Sequence, residues 1–121
     1  MSPYSPFFMD WAFNGARSLA EAYTYNKPLM RDIWSFIPDD VNVLVTHSPP
    51  YDILDETKDG RHVGCQDLWS RILDLKDLKV HAFGHIHWSA GEKFFNGVHY
   101  INASICDEMY SPSNKPIVID L

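Results

Sequence analysis

The sequence predicts an α/β fold built on a parallel sheet, and three observations lead to this prediction. Residues 41–46 and 79–83 are short apolar runs of strand length. Residues 65–75, between them, carry apolar side chains at helical spacing. Strand, helix and strand in that order form a βαβ unit, whose two strands run parallel. The unbroken apolar run at 43–45 further predicts that the first strand is buried on both faces.

Local signals predict the remaining elements. Residues 29–37 form a second amphipathic stripe at helical spacing, and residues 17–25 form a weaker one. Asn96-Gly97 lies between two apolar arms, which is the preferred sequence for a type I′ hairpin turn. Residues 116–121 are apolar and predict a closing strand. Residues 2–11 combine prolines with aromatic side chains, so we expect an irregular loop with a hydrophobic docking patch.

The composition limits the classes of function. A chain of 121 residues suffices for one modest domain, and its 45% hydrophobic residues argue against disorder. The net charge of −6 argues against nucleic-acid partners and anionic membrane surfaces, since both require a basic face. A phosphate ester remains compatible as a substrate, because bound divalent cations reverse the local field.

The location of the protein is predicted from what the sequence lacks. No apolar run approaches the ~18 residues of a membrane span, and no basic segment leads into an apolar secretion signal. Cys65 and Cys106 are far apart in sequence and form no C-x-x-C pair. We therefore expect a cytoplasmic protein with reduced cysteines and no membrane partner.

Three histidines follow the two predicted strands. His47 begins a loop with two prolines after residues 41–46, at the carboxyl edge of the sheet, where open α/β sheets bind their ligands. His85 and His87 follow Gly84, which we expect to leave the strand with a positive φ angle. On extended backbone, residues i and i+2 point the same way, about 6–7 Å apart. Such a pair could hold the two ions of a dinuclear centre, although G-H-x-H alone also fits two polar residues of a surface loop.

Other polar residues carry weaker signals. Arg61 and His62 lie on a polar loop with a turn at Asp59-Gly60, and they could reach a substrate phosphate or simply be solvated. His81 and His99 fall inside predicted strands, so we interpret both as structural or supporting residues.

Several motifs in a fixed order resemble a known family. The sequence reads THSPP at 46–50 and GHIH at 84–87, with SPYSPFFMDWAF at 2–13 and INASICDEMY at 101–110. These motifs and the order of strands resemble the last half of a calcineurin-like metallophosphoesterase. The similarity is greatest to the metallophosphoesterase-domain-containing subfamily, and it extends over nearly the whole chain.

The resemblance implies the C-terminal half of an αββα sandwich with a two-metal centre. His47 and His85 then correspond to ligands of one divalent ion and His87 to a ligand of the other. Manganese, iron, zinc and nickel are all compatible with these ligands. The implied activity is hydrolysis of a small phosphodiester or phosphomonoester, in which two ions neutralise charge on the attacking and leaving oxygens.

The family motifs D-x-H, G-D-x-x-D and G-N-H-[DE] do not occur in the chain. We therefore predict one partial domain over residues 1–121, from a truncated gene model or a real short product. We expect it to be inactive by itself and to self-associate through an exposed sheet edge. Two alternatives are a non-catalytic metal- or partner-binding fragment and, less favoured, a mononuclear zinc enzyme with three histidine ligands.

Overall fold

A four-stranded sheet forms the centre of the structure, a computed structural model that describes residues 15–16, 18–25 and 28–121. The elements in chain order are α1 (Leu19–Tyr25), α2 (Met30–Trp34), β1 (Val43–Val45), α3 (Gln66–Asp74), β2 (Val80–Phe83), a 3₁₀ turn (His87–Ser89), β3 (Gly91–Phe95) and β4 (Val98–Asn102). The predicted aromatic patch at 2–11 lies outside the described residues. No helix in the described part is long and apolar enough to cross a membrane.

The order of strands in the sheet is β1-β2-β4-β3. β1 pairs in parallel with β2, and β2 pairs in parallel with β4, whereas β3 and β4 form an antiparallel hairpin. The βαβ prediction is therefore confirmed, with α3 as the crossover. The hairpin prediction is confirmed as well, since Asn96 and Gly97 have φ angles of 51° and 78°, both positive as a type I′ turn requires.

One face of the sheet packs against α2 and α3. The core contains Met30 and Trp34 of α2, Leu68 and Ile72 of α3, and Leu44, Phe83 and Tyr100 of the sheet. Burial of each such side chain contributes roughly 1.5–3 kcal/mol, so this face accounts for much of the stability. The indole N–H of Trp34 also donates to the Sγ of Cys65, 3.2 Å away, which joins α2 to the start of α3.

The opposite face is open at β1, which corrects one prediction. Leu44 is buried, but Val43 is 41% exposed and Val45 is 73% exposed. β1 lies at the edge of the sheet, and the described residues do not cover its second face, so the expected burial on both faces is wrong here. The alternation of exposed and buried residues is that of a strand with one face in solvent.

The closing strand predicted at 116–121 is also not observed. These residues have no regular secondary structure, and Val118 is 89% exposed. An apolar run becomes a strand only where a neighbour supplies backbone hydrogen bonds, and no described strand pairs with this segment. The two predicted helices near the start are present but shorter, as α1 and α2.

Candidate metal centre

The loops after β1 and β2 bring His47 and His85 together. Because the two strands are parallel and adjacent, their carboxyl ends lie at the same edge of the sheet. The backbone N–H of Gly84 donates to the carbonyl of His47 at 3.1 Å, which joins the two loops directly.

The two imidazoles are in contact. His47 Nε2 lies 3.1 Å from His85 Nδ1, and the ring centroids are 4.7 Å apart. In a hydrogen bond, one of these nitrogens donates and the other accepts. The same separation suits two ligands of one ion, since nitrogens that each lie about 2.0–2.1 Å from a tetrahedral metal are about 3.3 Å apart.

His85 has an unusual backbone conformation, and this corrects the expectation for Gly84. The positive φ angle belongs to His85, at 73°, and Gly84 is not among the residues with positive φ. The N–H of Ile86 donates to the carbonyl of Gly84 at 2.8 Å, so His85 occupies the centre of a γ-turn. The positive-φ form of this turn is rare and strained, and strain of this kind is concentrated at functional sites.

His87 reaches a different neighbour from His85, because the chain does not stay extended between them. His87 Nδ1 lies 2.8 Å from the carbonyl oxygen of Asp107. A carbonyl only accepts, so Nδ1 carries the hydrogen, and Nε2 keeps its lone pair for a ligand. Metal-binding histidines commonly have this hydrogen bond from the second nitrogen. The ring of Tyr110 packs edge-on at 5.2 Å between centroids.

The surroundings of His85 and His47 favour the neutral form of both rings. Burial, followed by the nearby charges of His47 and His87, lowers the pKa of His85 to about 4. His47 is exposed, yet shielding of part of its ring also lowers its pKa below the usual 6.5. Only neutral imidazole can bind a metal, so both rings are in the form that could bind one at neutral pH.

Asn102 positions the segment that carries His85 and His87, a role that sequence reasoning missed. Its buried amide nitrogen donates to the carbonyls of Ile86 and Leu54, at 2.8 and 3.1 Å. Its oxygen accepts from the backbone N–H of Ser104 at 3.2 Å and from the Ser104 hydroxyl at 2.8 Å. All of its bonding capacity is used, and the carbonyl between the two histidines is fixed as a result. The only available signal was an asparagine at the end of an apolar run.

Arg61 and His62 bond within their own loop. The guanidinium of Arg61 lies 2.6 Å from a carboxylate oxygen of Asp59. His62 Nδ1 lies 2.7 Å from Asp55, whose carboxylate is buried, and this hydrogen bond raises the pKa of His62. Both side chains therefore bond to carboxylates of their own loop, and a contact with a substrate phosphate stays a prediction.

The described residues do not form a complete metal site. Within residues 15–16, 18–25 and 28–121, no three His, Cys, Asp or Glu side chains are grouped to hold an ion. His47 and His85 fit two positions around one ion, and His87 lies in the adjoining turn with its Nδ1 bonded to the Asp107 carbonyl. The role of these three histidines as metal ligands therefore stays a prediction.

Comparison with known proteins identifies the family. No protein-family model matches the chain. Metallophosphoesterase domain-containing protein 1 of Homo sapiens and of Mus musculus is 38% identical over 121 residues, which cover 99% of this chain and 34% of that protein. UPF0046 protein T07D4.2 of Caenorhabditis elegans is 32% identical over 120 residues, covering 99% of this chain and 28% of that protein. The chain thus spans about a third of the length of these curated relatives.

With these relatives, the four-stranded α/β architecture fits part of a calcineurin-like metallophosphoesterase fold. The paired histidine loops follow the carboxyl ends of the parallel strands β1 and β2, the edge at which open α/β sheets generally bind their ligands. The chain belongs to the metallophosphoesterase domain-containing family and corresponds to its C-terminal part.

Proposed function

We propose that this chain supplies the histidine ligands of a metal-dependent phosphoesterase that hydrolyses phosphodiester or phosphomonoester bonds. The contact between His47 Nε2 and His85 Nδ1, at 3.1 Å, is the observation that carries the proposal. These two residues would hold one divalent ion, and His87 would hold a second through Nε2. Manganese, iron, zinc and nickel all accept imidazole ligands, with carboxylates completing a manganese site.

The chemistry of such a centre suits an acidic protein. Two divalent ions neutralise the charge of a phosphate ester and of its attacking and leaving oxygens. The net charge of −6 would otherwise repel such a substrate. The protein's own contribution is to keep the imidazoles neutral and in place. Burial of His85 keeps its imidazole neutral, and the hydrogen bond from His87 to the Asp107 carbonyl holds the His87 ring in place.

A second candidate function is a non-catalytic metal- or partner-binding fragment of the same fold. The absence of a three-residue metal group among the described residues favours it. Under this alternative the histidines bind one ion weakly, and no substrate is turned over.

Calorimetry with Zn²⁺ or Ni²⁺ tests the shared requirement of both functions. We expect the wild-type chain to bind one ion, and His47→Ala to lose most of that affinity. His99→Ala is the control, because His99 bonds to Glu92 at 2.7 Å in the β3–β4 hairpin and is not a proposed ligand. Equal affinity of the wild type and His47→Ala would exclude His47 as a ligand and refute the proposal.

A further inference from the structure

His81 is a histidine in the core of the protein. It lies in β2, is 0% exposed, and packs its ring against Phe83 and Tyr100, with centroids 4.9 and 5.9 Å away. Its register partner on β1 is Leu44, so it faces the side of the sheet that α2 and α3 cover. A polar ring in this position requires a physical reason.

The hydrogen bonds of Thr46 determine which nitrogen of His81 carries the hydrogen. The Thr46 hydroxyl donates its single hydrogen to the carbonyl of Ser48 at 2.7 Å. The same oxygen lies 2.9 Å from His81 Nε2 and can only accept there. His81 is therefore the Nε2–H tautomer. Burial lowers its pKa to about 3, which agrees with a neutral ring.

This arrangement has a cost that an apolar residue would avoid. His81 Nδ1 is buried and has no hydrogen-bond partner among the described residues. A buried acceptor without a partner is destabilising, whereas an apolar side chain of similar size in the same place is not. The hydrogen bond from His81 Nε2 to the Thr46 hydroxyl is therefore the best reason for a histidine at this buried position.

That hydrogen bond holds the backbone on both sides of His47. Thr46 precedes His47 and Ser48 follows it, and the Thr46 hydroxyl connects His81 to the Ser48 carbonyl. The Thr46 N–H also donates to the Ala82 carbonyl at 3.0 Å, beside His81. His47 is thus fixed from β2, the strand that leads into His85.

We propose that His81 is a positioning residue that, through Thr46, holds His47 in contact with His85. The inference rests on the proposed function only as far as His47 is a metal ligand, since the contact itself can be observed without metal. The Thr46 hydroxyl makes both hydrogen bonds of this link, to His81 and to the Ser48 carbonyl, so the proposal can be tested at this one group.

Two matched pairs of variants separate this role from simple packing. Thr46→Val removes the hydroxyl with almost no change in shape, and Thr46→Ser keeps it. His81→Leu removes the donor, and His81→Gln keeps an N–H near the position of Nε2. The Thr46 pair decides the matter by itself if His81→Leu does not fold.

The first measurement is NMR of the metal-free chain with ¹⁵N-labelled imidazoles. We expect the Nε2–H tautomer at His81 and a ring-to-ring contact between His47 and His85. Thr46→Val should lose this contact, and Thr46→Ser should keep it. An Nδ1–H tautomer at His81, or an unchanged contact in Thr46→Val, would overturn the proposal.

The second measurement is Zn²⁺ affinity by calorimetry, below the melting temperature of every variant. Residues that orient metal ligands typically change metal affinity by about 10–100-fold, so we expect Thr46→Val and His81→Leu to bind about tenfold more weakly. Thr46→Ser and His81→Gln should stay close to the wild type. If Thr46→Val and His81→Leu lose stability but keep their affinity, His81 is a packing residue and the proposal is wrong. If the wild type binds no Zn²⁺, the proposed function fails and the NMR result still decides the role of His81.

Discussion

His47 and His85 are separated by 38 residues in sequence, yet their Nε2 and Nδ1 atoms lie 3.1 Å apart. The parallel pairing of β1 and β2 accounts for this, because it brings the ends of both strands to one edge. The γ-turn at His85 then directs the imidazole back towards the loop of β1. The contact between the two histidines therefore has two causes: the parallel pairing of β1 and β2, and the positive φ angle of His85.

The strain at His85 gives a prediction about stability. His85→Gly and His85→Ala both remove the imidazole, but only glycine accepts a φ angle of 73° without cost. We expect His85→Gly to be more stable than His85→Ala by about 1 kcal/mol. Urea denaturation of both variants measures this difference in the free energy of unfolding.

The same comparison bears on function. Neither variant should retain the wild-type affinity for Zn²⁺. A more stable His85→Gly would show that the surrounding fold imposes the positive φ angle at residue 85 even without the imidazole, so that the backbone is already in place for the ring. Equal stability of the two variants would mean that the turn at 84–86 relaxes once the ring is removed.

The buried His81 gives a prediction about pH. Its pKa is about 3 in the folded chain and about 6.5 when the chain is unfolded, so the unfolded chain binds the proton first on acidification. Above pH 6.5 the ring is neutral in both states and does not affect the free energy of unfolding. As the pH falls from 6.5 towards 3, the unfolded chain is protonated and the folded chain is not, so the free energy of unfolding declines. At pH 5 the loss in the free energy of unfolding that is due to His81 is about 2 kcal/mol, at 1.36 kcal/mol per pH unit.

Urea denaturation at pH 7 and pH 5 tests this for the wild type and His81→Gln. The glutamine side chain does not titrate, so we expect His81→Gln to lose about 2 kcal/mol less than the wild type between the two values. His47 and His85 titrate in both proteins, and their effect therefore cancels in the comparison. An identical loss in the two proteins would place the acid sensitivity outside His81.

Much of the fold could be predicted from the sequence because its signals are local. Asn96 and Gly97 specify their turn without help from the rest of the chain, and α3 carries its apolar stripe within nine residues. The burial of β1 could not be predicted in the same way. A run of valines reads alike whether its second face is covered or open, and that depends on which elements surround the strand.

The candidate site was predictable as a set of residue types but not in its geometry. The motifs predicted His47, His85 and His87 as candidate ligands, and the structure places the first two in contact, while their role as ligands stays a prediction. They did not reveal the positive φ angle of His85, which depends on the backbone bond from Ile86 to Gly84. They also did not reveal Asn102, whose hydrogen bond to Leu54 spans 48 residues. Contacts between distant segments leave no periodic trace in a single sequence.

The ligand count gives a prediction about activity. A metal ion in a catalytic site needs about three protein ligands, and two ions need a correspondingly larger set. His47, His85 and His87 are too few for both. We expect the 121-residue chain alone to have negligible activity on bis-p-nitrophenyl phosphate with Mn²⁺ or Ni²⁺.

The assay includes His85→Ala as a control for contaminating phosphatases. Turnover on the order of 1 s⁻¹, an ordinary enzymatic rate, that disappears in His85→Ala would show that this chain assembles a working site unaided. Residual hydrolysis that is equal in both proteins would be attributed to contamination and would leave the expectation intact.

The open edge of the sheet gives the last prediction, which concerns association. β1 pairs only with β2 in the described sheet, and its other edge leaves backbone N–H and C=O groups available for a further strand. Val43 and Val45 add exposed apolar surface on the same face, at 41% and 73% exposure. We expect the chain to self-associate through this edge, because doing so satisfies the backbone groups and buries both side chains.

Size-exclusion chromatography with light scattering, over a range of concentrations, measures the mass of the associated species directly. Val45→Lys should shift the protein towards the monomer, since a charged side chain on an edge strand opposes pairing. Val118→Lys is the control, because Val118 is 89% exposed and lies outside the sheet. A monodisperse wild-type monomer with a cooperative melting transition above ~50 °C, normal for a mesophilic domain, would refute association through β1.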